Sequence, residues 1–561
     1  MKKIYTFISA ALLTGSMLAQ PFFTPVTYKG AFPVTDGMTG VSSNDWTAGW
    51  AEWNPDVKSY PTTVTQTINS DITTNTTWTS SNVYKLVGNI SVKNGAVLTI
   101  QPGTIIYGDQ ATKSCLIIAQ GAKIIAQGTV ANPIVFTSDQ GVNNRLPGDW
   151  GGLIILGYGV TNTSCGSCST NPNTNYIEGF SSNFPEILHG GNNNDDSSGV
   201  LSYVRIEYAG VALSSASNSE INGLTMGSVG RKTKIDHIQV SYSGDDSYEW
   251  FGGAVNAKYL IAFRGLDDDF DTDHGWAGNV QFGLAIRDKD ISDTGKDSNG
   301  FESDNFDPGS GRTPLTSGIF SNITLVGPKR DGNTSLPSNQ AFGKALRIRR
   351  NTSISTFNSI IVGWSKGVSI EGSATEDNFI GDSAVFANNL IVGASDPLAT
   401  ASNSFYYTFF SQDGNDTTQT VAQIAWVDPF PTALSDTADF RLMNNTSVAA
   451  TGASFTDTKF SGLVINTGIR EVSNVLSLLS VYPNPSSGIA TIGFSLKERA
   501  DVVIQVLDIT GKVVYATELA NLSLGNQHTA VDLSTAKAGI YFVAISVNGS
   551  EKQVSKLVVN N

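Results

Sequence analysis

Five aspartates fall within seven residues, at Asp267, Asp268, Asp269, Asp271 and Asp273. In an extended chain successive side chains alternate, so Asp267, Asp269, Asp271 and Asp273 are expected on one face and Asp268 on the other. Four like charges on one face repel unless a cation or an arginine sits among them. Carboxylate oxygens are hard ligands that suit calcium, which makes these four the candidate metal ligands. Asp269-Phe-Asp271-Thr-Asp273 also matches the first half of an EF-hand loop, but His274 stands where that loop needs Gly and Val280 where it needs Glu. An EF-hand is therefore excluded. The competing expectation is that the acids shape turns, accept backbone N–H groups and keep the surface soluble.

Other residues nearby widen the chemistry. Asp245 and Asp246 follow Gly244, and Arg264 and Arg287 flank the acid run. A polysaccharide lyase needs a base, commonly Arg or Lys, beside a calcium-bound uronate, and Arg264, Arg287 or the run Arg347, Arg349, Arg350 supplies candidates. A glycoside hydrolase needs two carboxylates astride the bond, for which Asp245, Asp246 and the Asp267 to Asp273 set qualify. Trp250 and Trp276 are the candidate sugar-stacking residues, although rings beside Gly-Gly equally make a tightly packed corner. No Gly-x-Ser-x-Gly lies near a suitable histidine, and no phosphate loop occurs.

The elements that must position these residues are short strands. YKLVGNISV, VLTIQPGTIIYGD, CLIIAQGAKIIAQG and PIVFTSD each alternate apolar residues for a few positions and close on Gly, Asp or Asn, leaving no room for helices. Either a β-sandwich or a parallel β-helix satisfies that pattern, and the repeats favour the helix. Asn322 to Gly327, Asn358 to Gly363 and Asn388 to Gly393 share an entering Asn, an apolar run and Val-Gly, with looser copies ending at Gly210, Gly244 and Gly265. A coil that returns at such intervals stacks like side chains above one another.

The run VYKLVGNISVKNGAVLTIQPGTIIYGD, with AKIIAQGTVANPIVFTSD and PGDWGGLIILG, resembles the right-handed parallel β-helix domains of secreted Bacteroidota proteins, which are similar in fold to pectate-lyase-like proteins. YPNPSSG, LDITGKVV, AGIYFVAI and the closing KLVV resemble the type A sorting domain of the type IX secretion system. The resemblance implies an all-β chain, a right-handed parallel β-helix followed by a small Ig-like β-sandwich, delivered by the type IX secretion translocon through residues 475–561. The turn spacing of those last residues, with Thr510-Gly511 as one hairpin turn, also fits a sandwich.

The expected organisation is a signal peptide at 1–19, a lead and cap at 20–83, the β-helix at 84–394, late coils and a cap or linker at 395–474, and the sorting domain at 475–561. MKKIYTFISAALLTGSMLAQ has the charged start, apolar middle and small residue of a secretory leader, too short to span a membrane, and no Cys follows the cleavage point to carry a lipid. No transmembrane segment is expected. Trp46, Trp50 and Trp53 in the lead are expected to cover the open first coil rather than to bind sugar. Cys165 and Cys168 are expected to form a loop disulfide, and Cys115 to be buried.

The chain carries a net charge of −14, and between Asp245 and Asp307 it has 15 acidic and 5 basic residues, which excludes nucleic acid as a partner and favours a cation. The sequence reading is thus a secreted or surface-attached β-helix that works as an adhesion or glycan-contacting module, with extracellular polysaccharide as partner and calcium as cofactor. A calcium-dependent polysaccharide lyase or glycoside hydrolase is the alternative.

Overall fold

The computed structural model describes residues 21–35, 45–166, 168, 173–180, 184–211, 213, 220–295, 297–330, 334–399, 413–430, 438–464, 476–496, 499–508, 512–547 and 551–560. The leader at 1–19 and the Thr510-Gly511 turn lie outside the described residues, as do parts of the 395–474 stretch. Two compact units divide after Leu463.

In the first unit, short strands return one coil after another and pair in parallel. Leu224–Gly227, Tyr248–Phe251, Phe270–Asp273, Phe301–Ser303 and Lys344–Ile348 are consecutive members of a ten-stranded parallel sheet. Longer strands, among them Gly199–Glu207, Lys234–Ser241, Asn256–Phe263, Asn279–Ile286 and Ile319–Val326, belong to a sixteen-stranded one. Gly199–Glu207 pairs through its first half with Lys123–Gln127 and through its second with Ile134–Ser138. Between the halves Tyr203 is left-handed, as are His237, Tyr259, Phe282 and Asn322 at the same step of the next coils, with φ from 51 to 63°. That bend makes a corner, so one long sheet supplies two faces and the ten-stranded sheet the third. The result is a three-sided parallel β-helix.

A left-handed φ costs a non-glycine residue energy, and stacking offsets it here. Ring centroids run 4.3 Å from Tyr203 to His237, 4.4 Å on to Tyr259 and 5.2 Å on to Phe282. Asn322, Asn358 and Asn388 continue the column with the residue type that best tolerates this conformation. These are the entering asparagines of the sequence repeat. Strand register carries the exit position of Gly327, Gly363 and Gly393 back to Arg264, Tyr242 and Tyr208, so Gly210, Gly244 and Gly265 fall one or two residues past it.

Parallel pairing starts at Gln66–Ile68 and Thr76–Trp78, ahead of the point where the apolar pattern becomes regular. The lead before it is not a cap on the first coil. It is a strap along the flank. Phe23 N–H donates to Leu463 O and Val34 bridges to Leu442, at the late end of the unit. Farther along, Gly30 N–H reaches Asn358 O and Asn322 Nδ2 donates to Tyr28 O. Gln239 then exchanges two bonds with the Glu52 backbone, of 2.8 and 2.7 Å. Asp56 accepts from the hydroxyls of Tyr208 and Tyr242 at 2.6 and 2.9 Å. Trp50 and Trp53 are buried in this seam with Phe263, Ile286 and Val362. The flank is apolar enough to need covering, whereas the first coil exposes mainly Thr, Asn and Gln.

The second unit pairs its strands antiparallel. Leu476–Tyr482, Ile489–Leu496 and Gly525–Asp532 form one sheet, and Val513–Leu522, Ala500–Asp508, Gly539–Val547 and Glu551–Val559 the other. Ile492, Ile504, Val543 and Leu557 alternate inward and are buried together, as a small β-sandwich requires. No helix among the described residues is long and apolar enough to cross a membrane.

Candidate metal centre

The acids gather in a cleft of about 800 Å³ on the ten-stranded sheet. Parallel register explains why. Thr225, Glu249, Asp271, Glu302 and Arg347 occupy one outward position on five successive strands. Phe251 and Asp273 form the neighbouring outward column, and Asp304 and Arg349 continue the cleft wall beyond the next two strands. Parallel strands lie under 5 Å apart, so Glu249, Asp271 and Glu302 are stacked at near contact. The turns preceding these strands add Asp245 and Asp246 from one coil and Asp267 and Asp268 from the next.

The turns are held by their own acids. Asp246 Oδ1 accepts Asp268 N–H at 2.8 Å, Asp268 Oδ1 accepts Asn299 N–H at 2.5 Å, and Asn299 Oδ1 accepts Lys344 N–H at 2.9 Å. Each coil thus docks on the one before. The turn-shaping role expected of the acids is real, and it uses only part of their oxygen.

Three groups of carboxylates have ligand oxygens within 4.8 Å of one another: Asp245, Asp246 and Asp267; Asp246, Glu249 and Asp271; Asp268, Asp271 and Glu302. Burial is the main force that pushes Asp246, Glu249, Asp268 and Asp271 well above the usual carboxylate range, and neighbouring carboxylates add to it. Burial raises Asp273 to about 8, helped by Asp304, and Glu302 to about 7 against the pull of Arg349. Such a set stays ionised only beside positive charge. At one end arginines provide it. Arg347 pairs with Glu302 and Glu371 at 3.3 and 3.4 Å, Arg349 with Glu302 and, at 2.9 Å, Asp304, and Arg350 with Asp304 and Asp307 at 2.6 and 3.2 Å. Among the described residues, no arginine or lysine lines the cleft at the Asp246 end. The donor set there is all hard oxygen, which fits a divalent cation such as calcium.

Of the residues singled out in the sequence, Asp245, Asp246, Asp267, Asp271 and Asp273 line the cleft. Asp269 does not. Regular strand begins only at Phe270, so Asp267 to Asp269 lie in a turn where alternation fails, and Asp268 takes the place expected for Asp269. Asp269 points beneath the turn, fully buried, and pairs with Arg287 at 3.0 Å. Arg287 is spent on the carbonyls of Gly265 and Asn299 as well and does not reach the cleft. Arg264 sits on the strap side, bonded to the Tyr242 hydroxyl at 2.9 Å and lying over Phe263. Trp250 and Trp276 are both 0% exposed and pack 5.2 Å apart in the core, so neither ring is open to a sugar. Trp250 shares the inward column with Thr272, one residue out of phase with the acids.

Glu249, Asp268, Glu302 and Asp304 were missed as site residues. The signal for Glu249 and Glu302 is an aromatic residue followed by an acid at the strand start, as in Tyr248-Glu249, Phe270-Asp271 and Phe301-Glu302, with the ring turned in and the acid out. Elsewhere, Cys165 and Cys168 form the expected disulfide and Cys115 is buried.

A three-sided coil with a carboxylate cleft on one sheet, followed by a separate antiparallel sandwich, defines a parallel β-helix protein. Residues 70–428 match the model of the pectate-lyase-like β-helix domain and residues 480–560 that of the secretion system C-terminal sorting domain. The chain belongs to the pectate-lyase-like β-helix family and carries the sorting domain of the type IX secretion system, which makes it a secreted or cell-surface protein. Comparison with curated proteins finds no match. Among solved structures, the full-length tailspike protein 2 from Escherichia coli O157:H7 bacteriophage CAB120 is similar at 12% identity and a TM-score of 0.22, over 85% of this chain and 65% of the tailspike chain. The present chain thus spans less than two thirds of that protein's length.

Proposed function

We propose that the β-helix is a cation-loaded, glycan-contacting module presented outside the cell. The observation that carries this reading is the gradient along the cleft: Glu249 and Asp271 stacked beside Asp246 with, among the described residues, no cationic side chain at that end, and Arg347, Arg349 and Arg350 at the other. Asp246, Glu249 and Asp271 would hold calcium, which when bound supplies positive charge and open coordination positions for sugar oxygens. The chain's own residues do the rest. Asp268 and Asn299 fix the turns, and the arginines, already braced by Glu302 and Asp304, present donors toward an acidic sugar.

The test is thermal unfolding of the full-length chain in calcium and in chelator, followed by retention in acidic and neutral polysaccharide gels. The expected result is a higher midpoint in calcium, by mass action, and calcium-dependent retention in the acidic gel. An unchanged midpoint with no retention would overturn the reading.

A second reading has its own support. Asp273 near 8 and Glu302 near 7 would be protonated beside other carboxylates, the arrangement a hydrolase needs for a general acid. A lyase is less well served, because each cleft arginine is engaged by carboxylates. New reducing ends released from polysaccharide, lost in Asp273→Asn, would move the assignment to a hydrolase.

A further inference from the structure

We propose that the cleft takes the end of a glycan chain and not an internal stretch of one. This rests on the glycan-contacting reading above and names the part of the chain that is held. The outward column that carries the acids changes character along the sheet. Ile117, Ile154 and Thr225 occupy, on three successive strands, the register position that Glu249, Asp271 and Glu302 occupy on the next three. The early part of this face is apolar and needs a cover, whereas the acidic part is open as the cleft.

The cover comes from the segment between the strands Gly152–Leu156 and Gly199–Glu207. Its Ile177 and Ile187 are buried with Ile117, Ile154 and Leu156. Where the cover ends, the cleft ends: Asn175, Tyr176 and Glu178, at the edge of the cover, line the cleft. This edge comes down to the sheet. The Asn222 amide donates to Glu249 on the sheet and lies 3.5 Å from Glu178 on the cover, and Phe251, on the neighbouring outward column, is buried with Ile177. The edge is also fixed. Thr174–Tyr176 pairs antiparallel with Leu188–Gly190, and Cys165, bridged to Cys168, donates its N–H to Thr174 O at 2.9 Å. His189 Nδ1 stands 2.9 Å from Ser228 Oγ in the buried layer beneath, and Gln120 Nε2 donates to Gly157 O and Gly190 O at 2.8 Å each. Buried apolar contacts and buried hydrogen bonds put this wall among the segments that open least.

The opposite end of the cleft continues. A second cavity of about 540 Å³, walled by Ser310, Asn351 and Ser373, shares Arg349 and Arg350 with it. A ligand lying along the acids therefore runs out past the arginines and is stopped at Tyr176. One closed end and one open end suit a chain terminus, because the wall excludes by its bulk any segment that would have to extend both ways.

The experiment is isothermal titration of the full-length chain with polygalacturonate and with hyaluronan, at calcium too dilute to gel them, before and after partial acid hydrolysis of each polymer. Hydrolysis to about one tenth of the mean length gives about ten times as many ends per gram, so the half-saturating mass concentration is expected to fall about tenfold by mass action. A half-saturating mass concentration that does not change with length would overturn the proposal and leave the glycan reading standing. No binding to either polymer would overturn both. Ala374→Trp narrows the second cavity from an exposed position on the helix Ser373–Ile380, and thermal unfolding checks that the variant folds. It is expected to weaken binding of the long and the shortened chains alike by about tenfold. Unchanged binding in Ala374→Trp would overturn the exit past the arginines.

Discussion

Asp56→Ala tests how the strap is fastened. The Asp56 carboxylate accepts from the Tyr208 and Tyr242 hydroxyls at 2.6 and 2.9 Å. Removing it does not affect the two equally. Tyr242 keeps a bond to Arg264 at 2.9 Å, whereas Tyr208, 0% exposed, loses its carboxylate acceptor. A hydrogen bond to a charged group contributes about 1.5–3 kcal/mol, and stranding a buried hydroxyl costs about as much. The expected loss is about 2–3 kcal/mol, concentrated on Tyr208, or roughly 30- to 150-fold in the opening equilibrium of the strap. Hydrogen exchange of the amides between residues 45 and 60 reads that opening directly. In a Tyr208→Phe background the same substitution should cost about 1 kcal/mol less, because no hydroxyl is left to strand. Unchanged protection in Asp56→Ala, or strict additivity of the two substitutions, would refute the fastening.

Three further outcomes follow from buried groups. Asp269→Ala leaves the Arg287 guanidinium fully buried with carbonyls but without its carboxylate, and should destabilise the β-helix by about 3–5 kcal/mol in urea unfolding. Burial pushes His189 down to about 3. The unfolded chain therefore takes up a proton near pH 6.5 that the folded chain refuses, and stability is lost as pH falls from there toward 3, by about 4–5 kcal/mol in all. His189→Gln should flatten that part of the pH profile of the unfolding midpoint. Trp250→Ala and Trp276→Ala should each cost about 3–5 kcal/mol as core truncations. A variant of either with wild-type stability and lost gel retention would contradict the core assignment.

Short alternating strands, Val-Gly exits and entering asparagines were enough to read a stacked coil, because register makes those residues repeat. The acid run was legible as a centre of charge for the same reason. Its detailed geometry was not. Alternation holds within a strand, and Asp267 to Asp269 precede one, so Asp269 turned inward to Arg287 and Asp268 turned out. Partners one coil away, Glu249 and Glu302, are distant in sequence and adjacent only after the coils stack. The tryptophans misled because a ring beside an acid in sequence is opposite it across a strand. The strap was misread as a cap because its partners lie hundreds of residues away, where no local pattern points to them.

The strap also sets an order in time. Residues 22 to 34 are made first, yet their partners at Leu442, Ala449 and Leu463 are among the last of the first unit to be made. Coils can stack as they emerge, since each needs only its predecessor. The part of the flank that residues 22 to 34 cover cannot close until the whole array exists. Until then the apolar flank of the late coils, at Ile360, Val362 and Leu390, lacks part of its cover and is a sticky intermediate. Closure of the strap is therefore a completion signal: a chain shortened anywhere before Leu442 can build coils and still lack the contact that seals them.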